Sequence, residues 1–317
     1  MTLAALYDVP APAKLNLFLH VTGRRADGYH LLQSVFMLID WCDTLHFERR
    51  SDGRLQRHDL GPALPADDLS LRAARALQQA SGTTLGADLS VMKQLPWGAG
   101  LGGGSSDAAT TLLALNRLWG LHWPRTRLQQ IALPLGADVP FFVGGHHAFV
   151  EGIGERLTPL PAGCLAGQRF VVVKPEEALT TAAIFDSPSL VRDTETAIVM
   201  SFLADENLQQ KLLQGFGRND LQQPAELSCT AVTQVAAWLQ MRFGNSRMSG
   251  SGSAVFARMG TEVLSGAASP RNSRNAANAE SAASAEHAKN ALSTLPAGWT
   301  GRMCCSLDHH PLVGWAS

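Results

Sequence analysis

The sequence predicts an α+β protein of two domains, and three observations carry that reading. A strictly alternating apolar stretch lies near the start, and a glycine-rich turn leads directly into a helix. Strands and helices are then mixed without the regular strand–helix–strand order of a parallel sheet. At 317 residues the chain is also long for one core, so two domains or one large α/β unit are expected from length.

Residues 14–21, Lys-Leu-Asn-Leu-Phe-Leu-His-Val, place Leu15, Leu17, Leu19 and Val21 on one face and Lys14, Asn16, Phe18 and His20 on the other. That period of two predicts a strand with one buried and one functional face. Asp27-Gly28 breaks the chain into a turn over 24–28. Apolar strands follow at 30–39 and 43–50. Leu69, Ala73, Ala76, Leu77 and Ala80 give a helix over 67–80. A strand at 87–95 delivers the chain into the glycine turn, followed by helices at 105–119 and 125–133. A strand pair over 140–158 closes the first domain, residues 1–158. The second, 159–317, opens with a strand at 169–174 and contains a helix at 219–243. It continues through a Ser249-Gly-Ser-Gly-Ser253 turn and ends with a strand near 299–307. Residues 266–290, rich in Ala, Asn and Ser without an apolar stripe, are expected to be a mobile insertion or weak helix outside any site.

Bulk properties exclude several classes. A net charge of −1 gives no electrostatic reason to bind nucleic acid or an anionic membrane. No apolar run reaches the roughly 18 residues of a membrane span, and no basic segment precedes an apolar one as in a secretory signal. Five cysteines, odd in number and without a C-x-x-C pair, are expected as idle thiols in a reducing compartment. A cytoplasmic location follows as the expectation. His146-His147 and His309-His310 lack metal-ligand spacing, and no metal-ligating residue is assigned.

The most informative stretch is 96–108, Pro-Trp-Gly-Ala-Gly-Leu-Gly-Gly-Gly-Ser-Ser-Asp-Ala. Gly98, Gly100, Gly102, Gly103 and Gly104 admit positive φ and close approach of an anion, and the following helix offers its N-terminal N–H groups. A phosphate-binding loop is the natural reading. The lysine of a P-loop is absent after the glycines. A dinucleotide pattern is present as Gly98, Gly100 and Gly103, but residues 119–128 supply neither the second strand nor the acidic residue it requires. On the residues alone, Ser105 or Ser106 caps the helix or offers a hydroxyl to a phosphate or metal ion. Asp138 is equally a turn aspartate or a catalytic base, Lys14 an exposed edge lysine or a cleft cation, and Phe185 a core or a pocket residue.

Three segments together resolve the choice. Residues 96–109, Ala13-Lys-Leu-Asn-Leu17 and Met248-Ser-Gly-Ser-Gly-Ser-Ala254 resemble, in order, the second, first and third motifs of the GHMP kinase superfamily. Arg25-Ala-Asp-Gly-Tyr-His30 and Gly136-Ala-Asp-Val-Pro140 point to the branch that phosphorylates a cytidine-diphosphate-linked sugar alcohol. The resemblance implies a two-domain GHMP kinase fold with the active site in the inter-domain cleft. It implies ATP as co-substrate with Mg²⁺, held by Pro96, Trp97, Gly98, Ala99, Gly100, Leu101, Gly102, Gly103, Gly104, Ser105 and Ser106. Lys14 and Asp138 would be catalytic, Asp138 as general base. Asn16, Tyr29, His30, Thr181 and Phe185 would contact the second substrate, with Tyr29, His30 and Phe185 as the cytosine pocket. The partners implied are small molecules, and the chain is expected to be a monomer or weak homodimer.

Overall fold

The computed structural model describes residues 3–259 and 273–317, with the backbone alone over 273–281. Strand β1 (Ala5–Arg24) turns back through 25–29 into β2 (His30–Arg50), and the two pair antiparallel along their length. Next come β3 (Leu55–Asp59), α1 (Leu69–Ser81), β4 (Gly86–Met92), α2 (Gly103–Leu118), α3 (Arg125–Ala132), α4 (Val139–Gly144), β5 (Ala148–Gly152) and β6 (Arg156–Pro159). The other half begins with β7 (Arg169–Lys174) and the short helices α5 (Thr181–Phe185), α6 (Val199–Leu203) and α7 (Leu208–Leu213). It continues with α8 (Gln222–Ser228), α9 (Thr230–Phe243), β8 (Arg247–Met248), β9 (Val255–Arg258), α10 (Ser273–Ser293) and β10 (Thr300–Cys305).

One sheet runs β3-β4-β2-β5-β6, with β1 also on β2; the other runs β10-β7-β9-β8. Helices α1 to α4 bury Leu77, Leu112, Leu115, Leu128 and Phe142 against Leu38, Leu45 and Phe47 of the larger sheet. A second core joins the halves, with Leu15, Leu17, Val35 and Met37 meeting Phe170, Val172 and Phe256. A third packs α8 and α9 on the smaller sheet through Val171, Val173, Val232, Val235 and Leu239. This is the α+β architecture expected, with the two sheet-bearing halves packed together through the second core.

Several elements differ from the sequence reading, each for a tertiary reason. Residues 30–50 form one strand because the register slips between Pro12 and Ala13, so a bulge at Asp40–Trp41 absorbs the apparent break. The stretch expected to begin a strand at 140 is helix α4 instead. Pro140 sits in its first turn, where its fixed φ suits a helix, and Gly145 at φ +80° ends it. The helix expected over 219–243 is interrupted at Cys229, whose backbone is extended. The polar face of β1 is buried as well, down to Phe18 and His20.

Within the proposed insertion, residues 266–272 lie outside the described residues. The remainder belongs to α10, whose later turns bury Ala288 and lay Leu292 on the third core. The last residues leave the second half altogether. Leu307 N bonds to Leu38 O at 3.0 Å, Arg125 N bonds to Ser317 O at 2.8 Å, and Leu312 enters the core under α2.

That returning tail creates an acid-sensitive region. Burial holds His147 down to about 4 and His310 down to about 3. Each accepts a backbone N–H at Nδ1, from Leu38 and Leu312 respectively, and stays neutral. Because both folded values lie below the ordinary histidine value of ~6.5, the unfolded chain takes up protons first. Stability is therefore full above that value and falls as pH drops from there toward 4 and below. Thermal unfolding should show the melting temperature declining below pH 6.5. His310→Asn, which keeps an acceptor for Leu312 N, should flatten the decline, and an unchanged slope would remove His310 as its source.

Candidate active site

The glycine turn is shaped first by the protein's own close packing. Gly98, Gly100 and Gly102 have φ of +59°, +70° and +73°. A Cβ on Gly100 would lie 2.0 Å from Ser249 O, and one on Gly102 would meet the Phe142 ring at 2.9 Å and Lys14 Cε at 3.3 Å. Helix α2 starts at Gly103, two residues earlier than the sequence suggested, with Gly102 as N-cap and no side-chain cap bond. The capping reading of Ser105 and Ser106 therefore falls. Ser106 Oγ is buried with no partner among the described residues, and Ser105 Oγ lies 3.9 Å from a Cβ built on Gly136. The first helical bond runs from Ser106 N to Gly102 O at 2.9 Å. The N–H groups of Gly103, Gly104 and Ser105 thus have no intrahelical acceptor, which makes them an anion-binding end.

Lys14 lies directly beneath this end. It is 3% exposed, and its Nζ donates to Asn16 Oδ1 at 2.5 Å. The same ammonium lies 3.6 Å from Asp138 Oδ2 and 4.6 Å from the centre of the Phe36 ring. Burial pulls the ammonium below the usual lysine range, against the opposing pull of Asp138. Asp138 precedes α4 and keeps a partly exposed carboxylate. The third motif closes the arrangement. Ser249 Oγ accepts from Asn16 N at 3.2 Å and donates to Gly100 O at 3.1 Å. Ser253 N and Ala254 N bond to Gly98 O and Ala99 O at 2.9 and 3.1 Å.

Two cavities flank this centre. One, of about 410 Å³, is lined by the loop from Leu95 to Ser105, by Lys93 and Asp107, and by Leu64, Pro65 and Asp67–Leu69. On its wall stands a cluster that sequence reasoning missed. Lys93 Nζ is bonded to Asp43 and, at 2.6 Å, to Asp107 Oδ2. Burial pushes the Asp107 carboxyl above the usual carboxylate range, opposed by Lys93 and reinforced by Asp43. The signal available was Asp107 inside the glycine motif; nothing in the sequence joined it to residues 43 and 93.

The other cavity, about 490 Å³, is lined by Tyr29, His30, Thr181 and Phe185 with Asp27 and Ile153. Four of the five residues that the resemblance assigns to the second substrate thus share one space, whereas the fifth, Asn16, stands beside Lys14. The rings of His30 and Phe185 stack at 4.9 Å and 25°, and Tyr29 is 60% exposed. Arg192, unnoticed in the sequence, donates from Nε to His30 Nε2 at 3.1 Å and from its other nitrogens to Leu190, Phe185 and Ser187 carbonyls. Burial and the neighbouring guanidinium keep the imidazole pKa low. With Nε2 accepting, Nδ1 carries the proton. Thr181 Oγ1 lies 2.8 Å from Ser251 Oγ, which ties this cavity to the third motif.

Residues 68–146 match the model of the GHMP kinases N terminal domain and residues 201–294 that of GHMP kinases C terminal. The chain is 61% identical over 316 residues, 100% of both chains, to the 4-diphosphocytidyl-2-C-methyl-D-erythritol kinase of Methylibium petroleiphilum. It is 54% identical, over 98% of this chain and 96% of the relative, to that of Albidiferax ferrireducens. Its fold superposes on a crystal structure of 4-(cytidine 5'-diphospho)-2C-methyl-D-erythritol kinase with a TM-score of 0.71. That comparison has 32% identity and covers 94% of this chain and 98% of the other. No helix among the described residues is long and apolar enough to cross a membrane.

The packing of the glycine turn separates its residues experimentally. Gly100→Ala must force a side chain onto the Ser249 carbonyl at positive φ, where the conformation alone costs roughly 1–2 kcal/mol. Gly104→Ala meets only Leu69 Cδ1, at 3.6 Å. Denaturant titration should show Gly100→Ala losing at least that much stability while Gly104→Ala unfolds like the parent. Equal midpoints would show that the turn yields more easily than its contacts imply.

Proposed function

The chain belongs to the GHMP kinases, within them to the 4-diphosphocytidyl-2-C-methyl-D-erythritol kinases, and from that premise we propose how its residues act. It transfers the γ-phosphoryl group of ATP to a hydroxyl of 4-diphosphocytidyl-2-C-methyl-D-erythritol, a step of non-mevalonate isoprenoid precursor synthesis. The observation that carries this assignment of roles is the Lys14–Asp138 pair, 3.6 Å apart beneath the N-cap of α2.

Phosphoryl transfer is mainly positioning and neutralisation of spread negative charge. The free N–H groups at Gly103–Ser105 and the positive end of α2 hold the phosphates. The nucleoside occupies the cavity lined by Trp97 and Leu64–Leu69. Asp138 takes the proton of the attacking hydroxyl. As that oxygen bonds to the γ-phosphorus, the bond to the β-bridging oxygen breaks and ADP leaves. The Lys14 ammonium, 3.6 Å from Asp138 Oδ2, offsets charge on the entering oxygen, and Asn16 orients both the ammonium and the alcohol.

Mg²⁺ arrives with ATP. Among the described residues no group of three or more His, Cys, Asp or Glu could hold a metal ion. The orphaned Ser106 hydroxyl, or that of Ser105, fits as a protein ligand. When bound there, the ion would neutralise charge on the β- and γ-phosphates.

In the second cavity Tyr29 and Phe185 offer faces for cytosine, and the Nδ1–H of His30 donates to an acceptor on the base edge. Thr181 lies beside that site. Residues 1–158, completed by the tail from Leu307 to Ser317, then serve as the ATP-binding domain, and the rest of 159–317 as its partner, in a cytoplasmic enzyme that works as a monomer or weak homodimer.

Coupled ADP release with the cytidylyl alcohol, mevalonate, homoserine and galactose should show turnover with the first alone; preference for another alcohol would overturn the substrate. Asp138→Asn should lower kcat by about 10²- to 10⁴-fold with little change in ATP binding, as for loss of a positioned base. Near-normal turnover would exclude Asp138 as the base. Tyr29→Ala should raise KM for the cytidylyl substrate and leave KM for ATP unchanged, and equal rises would displace the cytosine pocket.

A further inference from the structure

Between β3 and α1, residues 60–68 adopt neither helix nor strand, yet they supply Leu64, Pro65, Asp67 and Asp68 to the cavity beside the glycine turn. A wall without backbone ladder bonds needs another source of rigidity. Arg57, on β3, supplies it from behind. Its side chain is 8% exposed and does not line the cavity.

The guanidinium makes five hydrogen bonds. Nε donates to Asp59 Oδ1 at 2.7 Å and Nη2 to Asp59 Oδ2 at 3.2 Å, a two-pronged pair. Nη2 also donates to Leu64 O at 3.1 Å, and Nη1 to Pro65 O at 2.8 Å and Asp68 Oδ1 at 2.6 Å. Both carboxylates are themselves tied to backbone. Asp59 Oδ2 accepts from Leu64 N at 2.9 Å, and Asp68 caps α1 through Leu71 N and Ser70 N at 3.1 and 3.2 Å. One side chain therefore fixes the wall at Leu64, at Pro65 and at the start of α1.

We propose that Arg57 is a positioning residue for the nucleotide, holding the 64–68 wall against the nucleoside of ATP while the glycine turn holds the phosphates. The inference rests on the reading of that cavity as the ATP site. The Lys14–Asp138 centre has no bond to Arg57 or to its carboxylates. Loosening the wall thus weakens ATP capture and leaves the chemical step and the cytidylyl cavity as they were. A lysine keeps the charge but not the planar fork, so Arg57→Lys is a selective perturbation.

Steady-state kinetics with each substrate varied in turn, alongside the thermal shift produced by ATP, test this on the parent, Arg57→Lys and Asp59→Asn. Arg57→Lys should raise KM for ATP about tenfold, with kcat and KM for the cytidylyl substrate held within about twofold. Its ATP-induced thermal shift should shrink in step. Asp59→Asn, which keeps the guanidinium and removes one charge, should give a smaller rise in the same constant. Unchanged KM for ATP in both folded variants, or parallel rises in both KM values, would overturn the proposal and leave Arg57 a general stabiliser. If the parent releases no ADP with the cytidylyl substrate, the functional reading fails separately. The ATP-induced shift then still decides the role of Arg57: a shift as large in Arg57→Lys as in the parent refutes it.

Discussion

The site depends on the contact between Gly100 and Ser249, where a loop from one half and a turn from the other meet too closely for any side chain. Around it three stretches distant in sequence are bound together: Lys14 N to Leu101 O, Asn16 N to Ser249 Oγ, and Ser253 N to Gly98 O. Each bond is worth only about 1 kcal/mol net, and no one of them places the site. Lys14, Asn16, Ser249 and Ser253 are buried, so each bond lost would leave a desolvated group on at least one side. The glycines in this turn thus serve the protein's own packing before they serve a ligand. Gly100 admits the Ser249 carbonyl, Gly102 admits Lys14 and Phe142, and only Gly103 and Gly104 lie at the open helix end.

Two lysines near that contact, Lys14 buried and Lys93 partly so, show how charge is apportioned. Lys93 has two carboxylates within bonding distance, Asp43 and Asp107, and its pKa lies above the usual lysine range despite burial. It is matched and holds structure, joining β2, β4 and α2. Lys14 has one carboxylate at 3.6 Å and a neutral amide, and burial outweighs that carboxylate to bring its pKa down. A buried cation short of a full counter-charge is costly to the fold. It is also the kind of group that a developing negative charge stabilises most, because the surroundings have not already neutralised it.

The limits of reading the sequence follow from the same physics. Patterns written within a few residues of one another were legible: the alternation of β1, the strand at 169–174, the glycine turn, and Tyr29-His30 beside a turn. The shared cavity of Tyr29, His30, Thr181 and Phe185 was reachable only through resemblance, since 150 residues separate its two sides. Arg192 was not legible at all. Its meaning lies in a 3.1 Å bond to a ring 162 positions away, and an arginine between valine and aspartate announces nothing. The strand expected at 140 became α4 because Pro140 and Gly145 act as helix start and stop, while periodicity alone cannot tell a short buried helix from a strand.

Local chemistry in the chain determined the α+β class, the anion-binding turn and the residue types able to move a proton and a phosphoryl group. Those properties depend on near neighbours: φ freedom, period and side-chain pKa. Tertiary structure alone decided that Lys93 meets two carboxylates and Lys14 one. It decided that a tail from the far end completes the first core, and that an arginine outside the cavity stiffens one of its walls. These outcomes depend on distances and desolvation between segments that only the folded packing brings together.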